Sequence, residues 1–297
     1  MTAGSNVATG TPSALAAAEG FTERSGRRRR RMNSTLFAGL LSLAVIVCFV
    51  VFYPMMVDWS PTEPNFGEPT FADPSREHPL GTDNFGRDNL TRIAYGGRVD
   101  LVVATIATAV TVIVGGLVGL ASGYFGGWFD TVMMRLVDFM ITIPYLILVI
   151  AIVAILGTGV TNIVYAIWII GWVTYARIVR AETMVARRLE YVEAARVIGM
   201  SDLRIMFRQI MPNVIAVALI YSMADVILNI LTAASLSFLG LGVQPPNPEW
   251  GLMVAEARDF FLRDWRLTAY PGIAVLITAA AFSLIGDGLA QALRPKG

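Results

Sequence analysis

Residues 139–176, FMITIPYLILVIAIVAILGTGVTNIVYAIWIIGWVTYA, run for 38 positions without one Asp, Glu, Lys or Arg. As a single α-helix this stretch would be about 57 Å long, nearly twice the roughly 30 Å of a bilayer's hydrocarbon. Gly157-Thr158-Gly159 lies inside it, and two glycines flanking one residue suit a tight turn. The stretch is therefore read as a hairpin of two membrane spans, beginning near Val132 and ending near Arg177.

The same reading extends in both directions. Met32 to Val57 is charge-free, and its centre, Leu36 to Phe52, is almost wholly apolar. It follows five arginines, Arg27 to Arg31. It is too long for a signal-peptide core of roughly 7–15 residues, and no A-x-A site follows, so it is read as an uncleaved first helix. Leu101 to Phe129 supplies the second span, about Asn213 to Ala234 the fifth, and about Leu267 to Gly286 the sixth. The fold class is an all-α membrane protein of six transmembrane helices. Composition agrees: 55% of residues are apolar, only 15% are charged, and the mean hydropathy is +0.61. A soluble domain carries about a quarter charged residues.

Placing the N-terminus in the cytoplasm puts 16 of the 23 basic residues on that side. Both termini are then cytoplasmic. The expected order is a disordered basic tail (1–31), a first helix (32–57), an extracytoplasmic loop (58–97) and a core (98–290). The core contains a cytoplasmic loop (177–212) and an outer loop (233–267), and a short cytoplasmic tail (291–297) ends the chain.

Residue counts exclude whole chemistries. Cys48 is the one cysteine and His78 the one histidine, so neither an intrachain disulfide nor a multi-histidine metal site is available. Lys296 is the only lysine, and no G-x-x-x-x-G-K-[ST] phosphate loop exists. If ATP matters, another chain binds it.

Three segments carry further information. In the 177–212 loop, Leu189, Val192, Ala195 and Ile198 fall at helical spacing, so Arg188 to Ile198 reads as a short amphipathic helix. Gly199 is placed for a left-handed cap, Asp202 for capping a second short helix through Gln209, and Pro212 for the first turn of the fifth span. An interfacial helix resting on headgroups would satisfy the pattern as well. The second segment is Leu80-Gly81-Thr82-Asp83-Asn84-Phe85-Gly86-Arg87-Asp88, turn chemistry with Asp88 able to cap a short helix through Tyr95. The third is Ala234-Ser235-Leu236-Ser237-Phe238-Leu239-Gly240-Leu241-Gly242-Val243-Gln244-Pro245-Pro246-Asn247-Pro248-Glu249-Trp250-Gly251. Its small residues permit close helix approach and its prolines then forbid helix.

Glu193-Ala194-Ala195, three residues, Gly199 and then Pro212 resemble the E-A-A-x-x-x-G-x₉-I-x-L-P loop of ABC importer permeases, with Gln209 and Met211 in place of Ile and Leu. The other two segments, with Gly81, Thr82, Asp83, Gly86, Arg87 and Asp88, and with Gly240, Gly242, Pro245, Pro246, Trp250 and Gly251, resemble the C-type permease subunit of dipeptide, oligopeptide and nickel importers. The resemblance implies a type I ABC importer permease fold in a bacterial cytoplasmic membrane. It implies a heterodimer with a homologous B-type permease, two ATP-binding subunits carrying ATP and Mg, and an extracytoplasmic substrate-binding protein. On that basis Glu193 makes the polar contact with the ATPase, Ala194 and Ala195 keep the docking surface low, and Gly199 makes the turn. The chain itself is then no enzyme and holds no cofactor.

Ionisable residues inside spans raise a competing class. Asp225 lies in the fifth span with Asn229 one turn on, and a proton-coupled secondary transporter would use such a carboxylate as a relay. Asp100, Asp138 and Asp287 are read as hydrated residues near span ends. A hydrolase is disfavoured because no acid–nucleophile spacing surrounds His78.

Overall fold

The computed structural model describes residues 33–293; the expected basic tail at 1–31 and residues 294–297 lie outside the described residues. Five helices are long and apolar enough to cross a membrane: Ser34–Met56 (α1), Asn89–Phe125 (α2), Val160–Ala186 (α5), the continuous Asp202–Phe238, and Arg266–Leu293 (α10). A sixth crossing arises among the described residues only if one bent helix pair, a broken span or a re-entrant loop by its geometry, is taken as a single span. Gly127–Thr142 (α3) and Tyr145–Leu156 (α4) meet at an angle of 91°. The break falls at Pro144, which cannot donate to the helix ladder and pushes the residue before it out of helical geometry. Ile143 accordingly sits at φ −93°, ψ 130°. The turn read from the sequence is there at Gly157–Gly159, but the expected straight first arm is instead two helices set nearly at right angles.

α2 starts twelve residues before the charge-free run at Leu101 and replaces the expected short helix through Tyr95. Asp88 caps it, accepting from the Thr91 amide at 2.7 Å. The charges in this early part are held by protein. Arg98 donates to the carbonyls of Val50 and Val51 at 2.6 and 2.7 Å. Asp100 is 1% exposed and accepts from the Trp250 amide at 3.1 Å. Asp100 is thus buried, contrary to the hydrated position expected for it, because the outer loop folds over the end of α2. Asp138 and Asp287 are exposed, in line with expectation.

The second short helix in the 177–212 loop is likewise part of something longer. Asp202–Ile205 (α7) passes through one π-helical turn, Met206–Ile210, into Met211–Phe238 (α8). Pro212 brings no N–H to this continuous helix. The wider turn just before it, and the Asn213 side chain donating to the Gln209 carbonyl at 2.8 Å, accommodate the lost bond. Asp202 makes no capping bond.

Without a hydrophobic force between helices in lipid, close packing must hold the bundle together. Gly115, Gly119 and Gly123 stand four residues apart on α2, and a Cβ on any of them would strike α5 backbone near Trp172, Ala176 and Arg180 respectively. Gly39 on α1 meets Ile285, and Gly288 on α10 meets Leu36, in the same way. These contacts bring α2 against α5 and α1 against α10.

Candidate functional site

Three constellations stand out, two at opposite ends of the bundle and one between. The first is a knob made of Glu190–Val197 (α6), a glycine turn and α7. Gly199 has φ 78°, a left-handed conformation that costs other L-residues about 1–2 kcal/mol. Inside, Val192, Ala195 and Ile205 share one apolar core with Leu120, Val179, Met206 and Val214 from three spans. Outside, Glu193 and Ala194 are exposed, together with Val197 at 88%, Ile198 at 75% and Leu203 at 63%. Of the four apolar positions read as one buried face, only Val192 and Ala195 are buried; Leu189 and Ile198 face outward because α6 ends before Ile198 and begins after Leu189.

Polar contacts that the sequence did not announce tie this knob down. Tyr124, the penultimate residue of α2, donates its hydroxyl to Asp202 Oδ1 at 2.5 Å. Arg187 donates to the carbonyls of Gly123 and Tyr124, both at 3.0 Å, satisfying acceptors the end of α2 leaves free. Arg196 lies over the Tyr124 ring at 5.6 Å. The available signal was an aromatic hydroxyl at the end of a span, which many membrane helices carry.

At the opposite end, the 80–88 segment is knitted to the loop before it and to Trp250–Ala257 (α9). Asp83 accepts from the amides of Phe85 and Arg87 and from Arg87 Nε at 2.7 Å. Arg92 reaches Glu256 at 2.6 Å and lies 3.6 Å from Asp83, so both guanidinium groups, 4% and 2% exposed, are paired. Thr82 donates to the Pro69 carbonyl, and His78 Nδ1–H donates to Asp88 at 3.0 Å. Gly81 and Gly86 both have φ 70°, close under the carbonyls of Ala72 and Asn65. In the third segment Gly240, at φ 80°, ends α8. Gly242 packs on Ser237, and Gly251 packs on the Ala234 backbone. Pro245 and Pro246, joined by a cis peptide bond, carry the chain away. Trp250 is 2% exposed and donates Nε1–H to the Ile93 carbonyl at 3.0 Å. Glu249 caps α9 through the amides of Gly251 and Leu252. Most of these motif residues therefore pack into a cap over one end of the bundle, while Gly240, Pro245 and Pro246 stay exposed.

Between the two ends, the α3–α4 elbow props open a cavity of ≈ 500 Å³ against α5 and α8. Pro144, Tyr145, Thr174, Arg177, Tyr221 and Asp225 are among its lining residues. Asp225 Oδ2 accepts from the Tyr175 hydroxyl at 2.9 Å and from Asn229 at 3.4 Å. Asn229 also donates to Thr108 at 2.9 Å and accepts from Tyr145 at 3.5 Å. Ile143 and Pro144, the non-helical residues at the bend, both line this cavity. Among the described residues no group of three or more His, Cys, Asp or Glu is placed to hold a metal ion.

Several long apolar helices with a folded cap at one end and a tethered knob at the other define a multi-span membrane protein. Residues 115–296 match the family of binding-protein-dependent transport system inner membrane components. The chain is 40% identical over 273 residues to the di/tripeptide transport system permease protein DppC of Pseudomonas aeruginosa, covering 89% of each chain. It is 41% identical over 206 residues to the glutathione transport system permease protein GsiD of Pectobacterium atrosepticum, covering 69% of this chain and 68% of that one. A solved structure of the MetNI methionine ABC transporter in inward-facing conformations shares the fold. Its TM-score is 0.55 at 16% identity, over 69% of this chain and 97% of that chain. This chain belongs to the family of binding-protein-dependent transport system inner membrane components, and it is a multi-span permease of the ABC importer type.

Proposed function

We propose that this chain is the C-type permease half of an ATP-driven importer for di- or tripeptides in a bacterial cytoplasmic membrane. The observation that carries the reading is the knob, which is rigid toward the bundle and exposes Glu193, Ala194, Val197 and Ile198 away from it. A surface so built has a partner. The seven arginines of 177–212 favour a cytoplasmic knob by the positive-inside rule, which supports cytoplasmic termini and an outer position for the cap of 58–88 and 239–265. The cap then receives a substrate-binding protein, the knob docks on one of two ATPase subunits carrying ATP and Mg, and a homologous B-type permease completes the pathway. No bond is made or broken in this chain. The full-length similarity to a di/tripeptide permease and the partial similarity to a glutathione permease favour small peptides over nickel or another solute.

Mechanistically, ATP-driven closure of the ATPases shifts the knob. Arg187, the Tyr124–Asp202 bond and the shared core pass that shift to α2, α5 and α8. The cavity beside the elbow then changes the side to which it opens, a two-state element biased from a distant site. Asp225 is the feature a proton-driven transporter would need, but family membership and the knob weigh against that reading.

Dialanine uptake in cells lacking this chain tests the proposal. Uptake is expected to return with the wild-type chain and to stay absent with Glu193→Lys or Gly199→Asp, each still inserted in the membrane. Unchanged uptake after deletion would remove the peptide assignment, and normal uptake with either variant would remove the coupling role of the knob.

A further inference from the structure

Asp225 is a carboxyl group inside a membrane bundle with no cation paired to it among the described residues. Among the described residues it makes no ion pair, and its only partners are the neutral Tyr175 and Asn229, both bonded to Oδ2. Oδ1 accepts no hydrogen bond among the described residues, and Asp225 lines the ≈ 500 Å³ cavity. The one cationic residue on the same wall, Arg177, already pairs with Asp138 at 3.2 Å. An ionised carboxylate so placed is costly unless it takes up a proton or a cation visits it. The surroundings suit a cation. Tyr145 and Tyr221 line the cavity with Asp225, and the fully buried Tyr175 lies behind them in edge contact with Tyr221 at 5.3 Å between ring centroids. Aromatic faces attract ammonium groups, most strongly where water is scarce. The non-helical backbone at Ile143–Pro144 shows that this wall of the bundle is built around space, and discontinuous helices at membrane depth commonly mark where a substrate rests.

We propose that Asp225 and the tyrosines around it form a transit subsite for the primary ammonium group of the substrate, which on the peptide reading above is the peptide's amino terminus. Asp225 Oδ1 accepts from the ammonium while Tyr175 and Asn229 hold Oδ2, so the carboxylate stays aimed into the cavity when the ligand leaves. Arg177 has no part in the subsite. The inference rests on the peptide reading but fails separately from it.

The test uses the assembled complex of this chain with its permease and ATPase partners in lipid nanodiscs, without the substrate-binding protein, whose own preference would otherwise be measured. Equilibrium binding of labelled dialanine is compared with that of N-acetyl-dialanine, which lacks the ammonium and is larger by one acetyl group, the Asp225→Asn comparison separating charge from size. The subsite requires saturable dialanine binding and at least about tenfold weaker binding of the acetylated peptide, as loss of one charge-assisted hydrogen bond implies. Asp225→Asn preserves both bonds to Tyr175 and Asn229. It is expected to weaken dialanine about tenfold without changing the acetylated peptide, whereas Asp225→Glu retains the preference. Equal affinity for the two peptides, no saturable dialanine binding, or an Asn variant that discriminates as wild type does would overturn the subsite. Dialanine import by the complete system with the binding protein present is the control. If import stands while binding shows no preference, the subsite alone is wrong. If import is absent, the peptide reading is wrong and the subsite falls with it. A protonophore that abolishes import while ATP is present would make Asp225 a proton carrier and also overturn the proposal.

Discussion

Replacing Tyr124 by Phe removes one hydroxyl and with it the 2.5 Å bond to Asp202 Oδ1. A hydrogen bond to a charged group contributes about 1.5–3 kcal/mol net where it is buried. Here the tyrosine is 7% exposed but Asp202 is an exposed residue, and solvent screening brings the expected loss to about 1 kcal/mol. That is about a fivefold shift between the closed knob and its locally opened form. The knob stays in place, because Arg187 still holds the carbonyls of Gly123 and Tyr124 and the phenyl ring still lies under Arg196. Amide hydrogen exchange reads such local opening directly. The amides of residues 190–199 should lose about fivefold protection, and those of residues 103–112 should lose none. In an Asp202→Ala background, which has no acceptor for the hydroxyl, the same substitution should add little, since the pair is one interaction. Unchanged protection, or losses that simply add in the double variant, would refute the tether.

Other consequences are as specific. Gly119→Ala places a methyl against the Ala176 carbonyl and the Arg180 amide and should destabilise the α2–α5 pair by about 1–3 kcal/mol. Gly116→Ala, one position away from that stripe with nothing within 4 Å, should stabilise by about 0.5–1 kcal/mol. Thermal unfolding in detergent compares them, and shifts of the same sign would count against the packing. Asp83→Asn leaves two nearly buried guanidinium groups, with Glu256 as the one carboxylate still facing them among the described residues. It should cost about 3 kcal/mol and open the 58–88 loop to protease. An uncut loop of unchanged melting temperature would mean that the ion cluster contributes little to the cap.

Charge-free runs show where lipid is but not where helices begin. The first twelve residues of α2 were illegible because Arg92, Arg98 and Asp100 look like loop chemistry until Glu256, the Val50 carbonyl and the Trp250 amide are seen beside them. Pro144 was there to be read, but 38 uncharged residues around one obvious glycine turn drew the division to Gly157 alone. Pro212 misled in the opposite direction, since a π-turn carries the helix past it. The three motif segments could be located from residue order, whereas the Tyr124, Arg187 and Asp202 contacts join residues 63 to 78 positions apart and left no local trace. Asp225 was visible as a charge in a span. Its cavity was not, because the cavity depends on the bend at Ile143–Pro144.

The central claim is that this chain works only as one part of an ATP-driven assembly, and gentle affinity purification of the tagged chain from its native membrane tests it most directly. The account expects a second six-span permease and two P-loop ATPase subunits to copurify, with ATP hydrolysis by the complex and loss of the ATPases when Glu193→Lys is introduced. A chain that purifies alone and moves solute down a proton gradient would contradict it.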